Sequence, residues 1–454
     1  MAFSSPRMLL VDENIRDSGG HYLELASLLM DGARHQGYAP TLAVNHAFSP
    51  SDNTVSDDTI VPAFQSRRMN YWSMGVDGHS HVGRDTQGRL TGGTLGRRNL
   101  LRVRDSLSRR QRNPQQMIRQ WSDDFVNLVQ SWKPGDQDQI LINTADDFVI
   151  LAIANALQRL PSDRPLNINA IFHFAVFASN VVTPRAMQFG QQVNEAVRQS
   201  QPHRISMFAT TESLAAQLDA VGMKVSAVPY PTRKRQLSAR KADGPLKILM
   251  AGMPRAEKGR DQIRQLLSQI YSPLLCENQF QFSMQMRPRA WKRLIPPVLH
   301  DDYAKATESD LPLDSALQTS GPLEIVSSDL PGNSYHDWLG TADVGLFLYA
   351  PERYVARCSG VLLEMMVAGV PVIVPAKCWL DDQLEQAGGD GSIGFRYHCV
   401  DEIPQLLRRI RTNYDSLRNR SAAYANVMQE RHTGANTIRQ MGLETVSMPQ
   451  RLAS

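Results

Sequence analysis

The feature that most narrows the fold is a strand-like run without a polar residue, Val370 to Pro375 (VPVIVP), set directly behind a short apolar helix pattern. A strand with one wet face alternates apolar and polar side chains. One that is apolar throughout is covered on both faces, which is the environment of a parallel sheet wound with helices. Ser359 is a good N-cap for the preceding helix, since its hydroxyl can accept from an orphan amide of the first turn. Gly360 lets a ligand approach the backbone. Val361 to Ala368 carry the helix, with Leu362, Leu363, Met366 and Val367 on the buried side, and Gly369 suits a left-handed stop.

Glu364 breaks this apolar pattern. It lies four positions after Gly360, on the same helical face and about 6 Å along the axis. Helical side chains lean toward the N-terminus, so the acid points to the end where amides and the positive dipole can hold a phosphate. A carboxylate accepts from two hydroxyl donors, such as those of a ribose. Phosphate-binding amides and a ribose-binding acid describe a nucleotide site; a solvated Glu on an amphipathic helix is the alternative.

The chain has 454 residues, enough for two or three domains. Its 49 basic and 45 acidic residues leave a formal charge of +4, so no nucleic-acid footprint follows. The N-terminus does not read as a secretion signal, and no apolar run approaches the ~20 residues of a membrane span. The four cysteines form no CxxC pair, which suits a reducing compartment and a cytoplasmic protein, and argues against a cysteine metal site.

Taken in order, residues Arg7 to Glu13 form an apolar strand, followed by a polar turn ending in Ser18, Gly19 and Gly20. A helix pattern from Tyr22 to His35 has Leu25, Leu28 and Leu29 as its stripe, and Pro40 to Asn45 reads as the next strand. This is a Rossmann-like opening without GxGxxG, so a nicotinamide or flavin dinucleotide is not supported. Residues 49–96 lack periodicity and read as long loops. His79 and His81 there are either a metal pair or solvated loop histidines. The basic stretch 97–119, interleaved with Leu100, Leu101, Val103 and Leu107, is either a solvated helix face or a peripheral contact with anionic lipid. Asp136 and Asp138 imitate a DxD metal motif, but a Pro-Gly turn explains them better. Asn167 to Phe174 is a strand with His173 near its carboxyl end, where ligands of open α/β sheets gather; a satisfied core histidine is the competing reading.

Prolines and basic residues over 229–245 mark an interdomain linker. A second α/β series follows: strands at Lys247–Ala251, Phe280–Met286, Leu323–Val326 and Asp343–Tyr349, an irregular insertion over 287–320, and helices at 259–269, 335–341, 403–411 and 414–431. The expected organisation is an N-terminal domain over 1–228, a C-terminal domain over 246–431, and a tail, 432–454, packing back on the first. Arg255 and Lys258 follow the first strand of the second series. Together with the amides around Ser359 they would neutralise a pyrophosphate from two sides; a basic surface turn is the alternative.

This order of strand, Arg255/Lys258 turn, DWLGTADVGLFL and SGVLLEMMVAGVPVIVP resembles glycosyltransferases of the GT-B fold, in particular retaining, family 4-like enzymes. The opening SGGHYLELASLLMDGARHQGY is similar to the start of that family. The resemblance implies two Rossmann-like, doubly wound parallel-sheet domains facing each other across a cleft, with the donor on the C-terminal domain and the acceptor on the N-terminal one. It implies transfer of a hexose from a UDP- or GDP-sugar to a glycan, glycolipid or metabolite, with retention, and with neither metal nor further cofactor. Carried over, Arg255 and Lys258 hold the diphosphate as it leaves, the Ser359, Gly360 and Val361 amides bind phosphates, and Glu364 binds the ribose. Gly19 and Gly20 admit the donor, and His173 contacts the transferred sugar. The family also carries an acid eight positions before the ribose acid. Here Ala356 stands there, with Glu352, Tyr354 and Arg357 nearby, and Glu352 or Tyr354 is expected to replace it in part. A GT-B epimerase or phosphorylase and a non-catalytic nucleotide-sugar-binding protein are the competing functions.

Overall fold

The computed structural model describes residues 5–16, 21–49, 59–65, 83–84, 90–91, 114–177, 181–234, 244–286, 294–297, 300, 317–320, 322–326, 330 and 332–445. The chain divides into two compact units, Met1–Val228 with Thr437–Ser454, and Pro229–Asn436.

The first unit is built on a seven-stranded sheet in the order β3-β2-β1-β6-β7-β8-β9. Its strands are β1 (Arg7–Val11), β2 (Ala39–Asn45), β3 (Ile60–Phe64), β6 (Gln139–Ala145), β7 (Asn167–Phe172), β8 (Arg204–Ala209) and β9 (Ser226–Ala227). Every pairing is parallel. The central strands are apolar because helices cover both faces: Leu9, Leu10, Leu141 and Ile142 are fully buried. Two strand pieces fall where long loops are expected from the sequence. One is the edge strand β3, whose Pro62 is tolerated because, among the described residues, β3 pairs with β2 alone. The other is the short hairpin of β4 (Gly83–Arg84) and β5 (Leu90–Thr91). Arg7 clamps Asp138 through its amide at 2.7 Å and its guanidinium at 2.9 and 2.6 Å, so Asp138 is structural and Asp136 is exposed. At the far end of the chain, the Thr445 hydroxyl donates to the Gln36 carbonyl at 2.6 Å.

The second unit carries the sheet β12-β13-β11-β10-β14-β15-β16. Its strands are β10 (Leu246–Met250), β11 (Phe280–Gln285), β12 (Leu317–Ser320), β13 (Leu323–Val326), β14 (Val344–Leu346), β15 (Val372–Pro375) and β16 (Gly394–Tyr397). All pairings are parallel except the edge, where β12 runs antiparallel to β13. That edge strand closes the stretch 287–320, read from the sequence as a less regular insertion. The expected helix over 259–269 is revised: a 3-10 turn, Ala256–Lys258, precedes a helix at Ile263–Ile270 and a π turn at Tyr271–Leu275. The two helices read at 403–411 and 414–431 are present, meeting at a kink where Asn413 leaves helical geometry (φ −118, ψ 21) within Ile403–Arg431.

Candidate functional site

In the second unit the first strand, β10, lies inside the sheet. The chain runs outward from it to β11 and β13, then returns to lay β14 on its other side. Strand order therefore reverses between β10 and β14, and ligands of open α/β sheets bind beyond the carboxyl ends of strands at such a point. Two segments emerge there. Behind β10 comes the turn holding Arg255 and Lys258; behind β14 comes Tyr349, then the 3-10 turn Pro351–Arg353 and the helix Gly360–Val367.

The cationic turn is fastened to the exit of β14. Gly259 adopts φ +70, and a Cβ placed on it would sit 2.0 Å from the Leu348 carbonyl oxygen, so only glycine lets the two backbones meet. The Ala350 amide donates to the Glu257 carbonyl at 3.0 Å. At the start of the turn Gly252 has φ +87, and its missing side chain leaves room for the Lys258 ammonium, which would lie 2.6 Å from a Cβ there.

Lys258 reaches over the Tyr349 ring, with Nζ 5.2 Å from the ring centroid. Tyr349 packs on Tyr354 at 4.4 Å between centroids, and the Arg357 guanidinium lies 5.4 Å from the Tyr354 centroid. Two cations thus bracket two aromatic faces, whose negative quadrupoles attract them. Burial pushes the Lys258 pKa down; Tyr354 counters this, while Arg357 and Arg255 push it further down. Burial raises both Tyr349 and Tyr354 to about 12. Tyr349 lies beside the Ser359 hydroxyl, and Arg357, Glu364 and Glu257 act on it electrostatically. Tyr349 therefore lies under Lys258 of the first segment and within electrostatic reach of Ser359 and Glu364 of the second.

The Gly360–Val367 helix starts as its sequence predicts. Ser359 is extended, and its hydroxyl accepts from the Leu362 amide at 3.2 Å. The Leu363 amide bonds the Ser359 carbonyl at 3.1 Å, so the Gly360 and Val361 amides are left at the open helix end. The Tyr230 ring stands 3.6 Å from where a Gly360 Cβ would be. Burial wraps further round this helix than one stripe allows: Met365 is buried along with Leu362, Leu363, Met366 and Val367, and Glu364 occupies the partly open side. Replacing Ser359 by alanine is expected to cost about 1 kcal/mol of stability through the lost cap, read as a lowered urea midpoint with an unchanged slope.

Of the remaining candidates, Arg255 is over half exposed, with one guanidinium nitrogen 3.9 Å from Glu257. Glu352 is exposed on its turn, whereas Tyr354 and Arg357 belong to the stack. Ala356 is fully buried. In the first unit, His173 directly follows β7 and is half-buried, with Nε2 donating to the Asn143 carbonyl at 2.6 Å. Gly19, Gly20, His79, His81 and residues 97–113 lie outside the described residues, while 114–119 open the helix Pro114–Trp132. Among the described residues no three metal-ligating side chains cluster, and no helix is long and apolar enough to cross a membrane. Sequence reasoning missed Tyr349, Glu257 and Gly259. The only available signal was an aromatic at the end of an apolar strand facing a Gly-flanked basic turn.

No family model matches the sequence, and no curated protein matches it. Solved structures do. A trehalose-6-phosphate synthase, OtsA, aligns at 12% identity over 97% of this chain and 99% of its own, with a TM-score of 0.59. A glycosyltransferase from Rickettsia africae aligns at 10% identity over 98% and 100%, with a TM-score of 0.57. Anabaena HepE, crystallised with UDP-glucose, aligns at 12% identity over 96% and 98%, with a TM-score of 0.54. At these identities the likeness is one of fold: two Rossmann-like parallel-sheet domains, the GT-B architecture.

Proposed function

We propose that the chain is a retaining, family 4-like glycosyltransferase that moves a hexose from a UDP- or GDP-sugar to a glycan, glycolipid or metabolite, with cationic side chains in place of a metal ion. The observation that carries this reading is Lys258 seated over Tyr349 where strand order reverses, with Ser359 and Glu364 of the following helix acting electrostatically on the same tyrosine. Lys258 and Arg255 neutralise the diphosphate and the charge that grows on it as the sugar departs. The Gly360 and Val361 amides hold a phosphate oxygen at the helix end. Glu364 accepts from the ribose hydroxyls. Tyr354 and Arg357 border the sugar where Ala356 offers no acid, and His173 is assigned a contact with the transferred sugar.

In the transfer itself the bond from the anomeric carbon to phosphate oxygen breaks, and an acceptor oxygen bonds to that carbon on the same face. The acceptor proton passes to the leaving phosphate. Similar solved structures include a trehalose-6-phosphate protein from E. coli bound with UDP-2-fluoro glucose and HepE in complex with UDP-glucose. That supports the choice of donor class.

Glu364→Gln tests the reading. It keeps the shape and removes the charge, so UDP or GDP binding should weaken by about 1–3 kcal/mol in titration calorimetry. Identical affinities in wild type and variant would remove the ribose assignment. The buried Ala356 supports a second reading, a nucleotide-sugar-binding protein without turnover. Slow release of nucleoside diphosphate from the donor in the absence of acceptor separates the two, since a pure binder releases none.

A further inference from the structure

The ladder between β6 and β7 slips in register: Ile142 stands opposite Ala170, but Ala145 stands opposite Phe172. The extra residue falls within Asn143–Thr144, at the carboxyl end of β6. β6 and β1 are the strands between which the first sheet reverses its order. Irregularities of this kind re-aim backbone and side-chain groups and recur beside functional sites.

Here the slip serves both sides of one residue. The Asn143 carbonyl receives His173 Nε2 at 2.6 Å, while the Asn143 side-chain amide donates to Asp12 Oδ2 at 2.7 Å. The Thr144 hydroxyl donates to the same oxygen at 3.1 Å. Asp12 Oδ1 accepts from the Asn14 amide at 3.0 Å and from its side chain at 2.9 Å. Asp12 and Asn143 are fully buried and Thr144 nearly so. A buried carboxylate that takes four donors is a fixed anchor, because losing any partner leaves a polar group without water to replace it.

We infer that Asp12 and Asn143 are positioning residues: they hold the His173 ring in its Nε2–H tautomer and so fix the orientation in which it contacts the substrate. The substrate half of this statement rests on the transferase reading above. The tautomer follows from chemistry alone, since a carbonyl oxygen only accepts and Nε2 must therefore carry hydrogen. In a neutral imidazole the other nitrogen is then the acceptor.

The test uses the full chain labelled with 15N-histidine, in which long-range proton–nitrogen correlation separates the tautomers. The His173 signal is assigned by its loss in His173→Gln. The wild type is expected in the Nε2–H form. Asp12→Asn should shift His173 toward a tautomer mixture and lower kcat by roughly ten- to a hundredfold, with UDP affinity and donor KM unchanged. Thr144→Val, which keeps the carboxylate, should do the same more weakly and reads the same network if Asp12→Asn does not fold; Thr144→Ser should restore wild-type behaviour. An Nδ1–H ring in the wild type, or an unmoved His173 signal in both folded variants, overturns the inference. If the tautomer behaves as expected but the wild type transfers no sugar, the positioning stands and the transferase reading alone falls.

Discussion

Exchanging Lys258 for methionine is expected to slow sugar transfer by roughly 10²–10³-fold while leaving the unliganded protein at least as stable as the wild type. Both halves come from the same surroundings. The ammonium sits over Tyr349, desolvated and near two further cations, so its charged form is disfavoured until an anion arrives. Methionine keeps the stem and removes the charge, relieving that unfavourable burial. Charge on the leaving diphosphate grows in the transition state, so the lost cation is felt most there and least in the binding of a bare nucleoside. Initial rates with a nucleotide sugar, nucleoside affinity and a melting curve form the check. A variant that loses stability along with activity would make Lys258 a structural residue.

Gly259→Ala is expected to be the more damaging change for the fold, costing roughly 2–4 kcal/mol. Two effects add: an L side chain at φ +70 is strained, and its Cβ would meet the Leu348 carbonyl oxygen at 2.0 Å, where the obstacle is backbone and not a flexible side chain. Relief requires the turn to lift off β14, which also carries Lys258 away from Tyr349. Chemical denaturation and diphosphate titration of the same variant should therefore fail together. Wild-type stability with intact binding would show that the turn tolerates another path.

The parts of the site legible in the sequence are those with local causes. Ser359, Gly360 and Gly369 announce a helix start and stop through their own chemistry, and VPVIVP announces a buried strand through the absence of polar residues. Glu364 stands out because an acid in an apolar helix needs a reason. Tyr349 was illegible because an aromatic at a strand end looks the same whether it fills a core or supports a lysine. Gly259 is one glycine among 29, and its need arises from Leu348, nearly ninety positions later in the chain. The β6 slip was hidden for a similar reason: nothing local in LINTA marks an extra residue, and its pairing with β7 is what exposes it. The edge strand β3 was obscured by Pro62, which rules out a central strand but not an edge.

The first unit takes its residues from both ends of the chain, with Thr437–Ser454 supplying its final piece, while the second is one continuous stretch. During synthesis from the N-terminus, the ribosome therefore delivers every residue of the second unit before it delivers Ile438, which is fully buried, or Thr445, which bonds Gln36. The half that begins first is finished last, and its early strands must wait through more than two hundred intervening residues for their last partners.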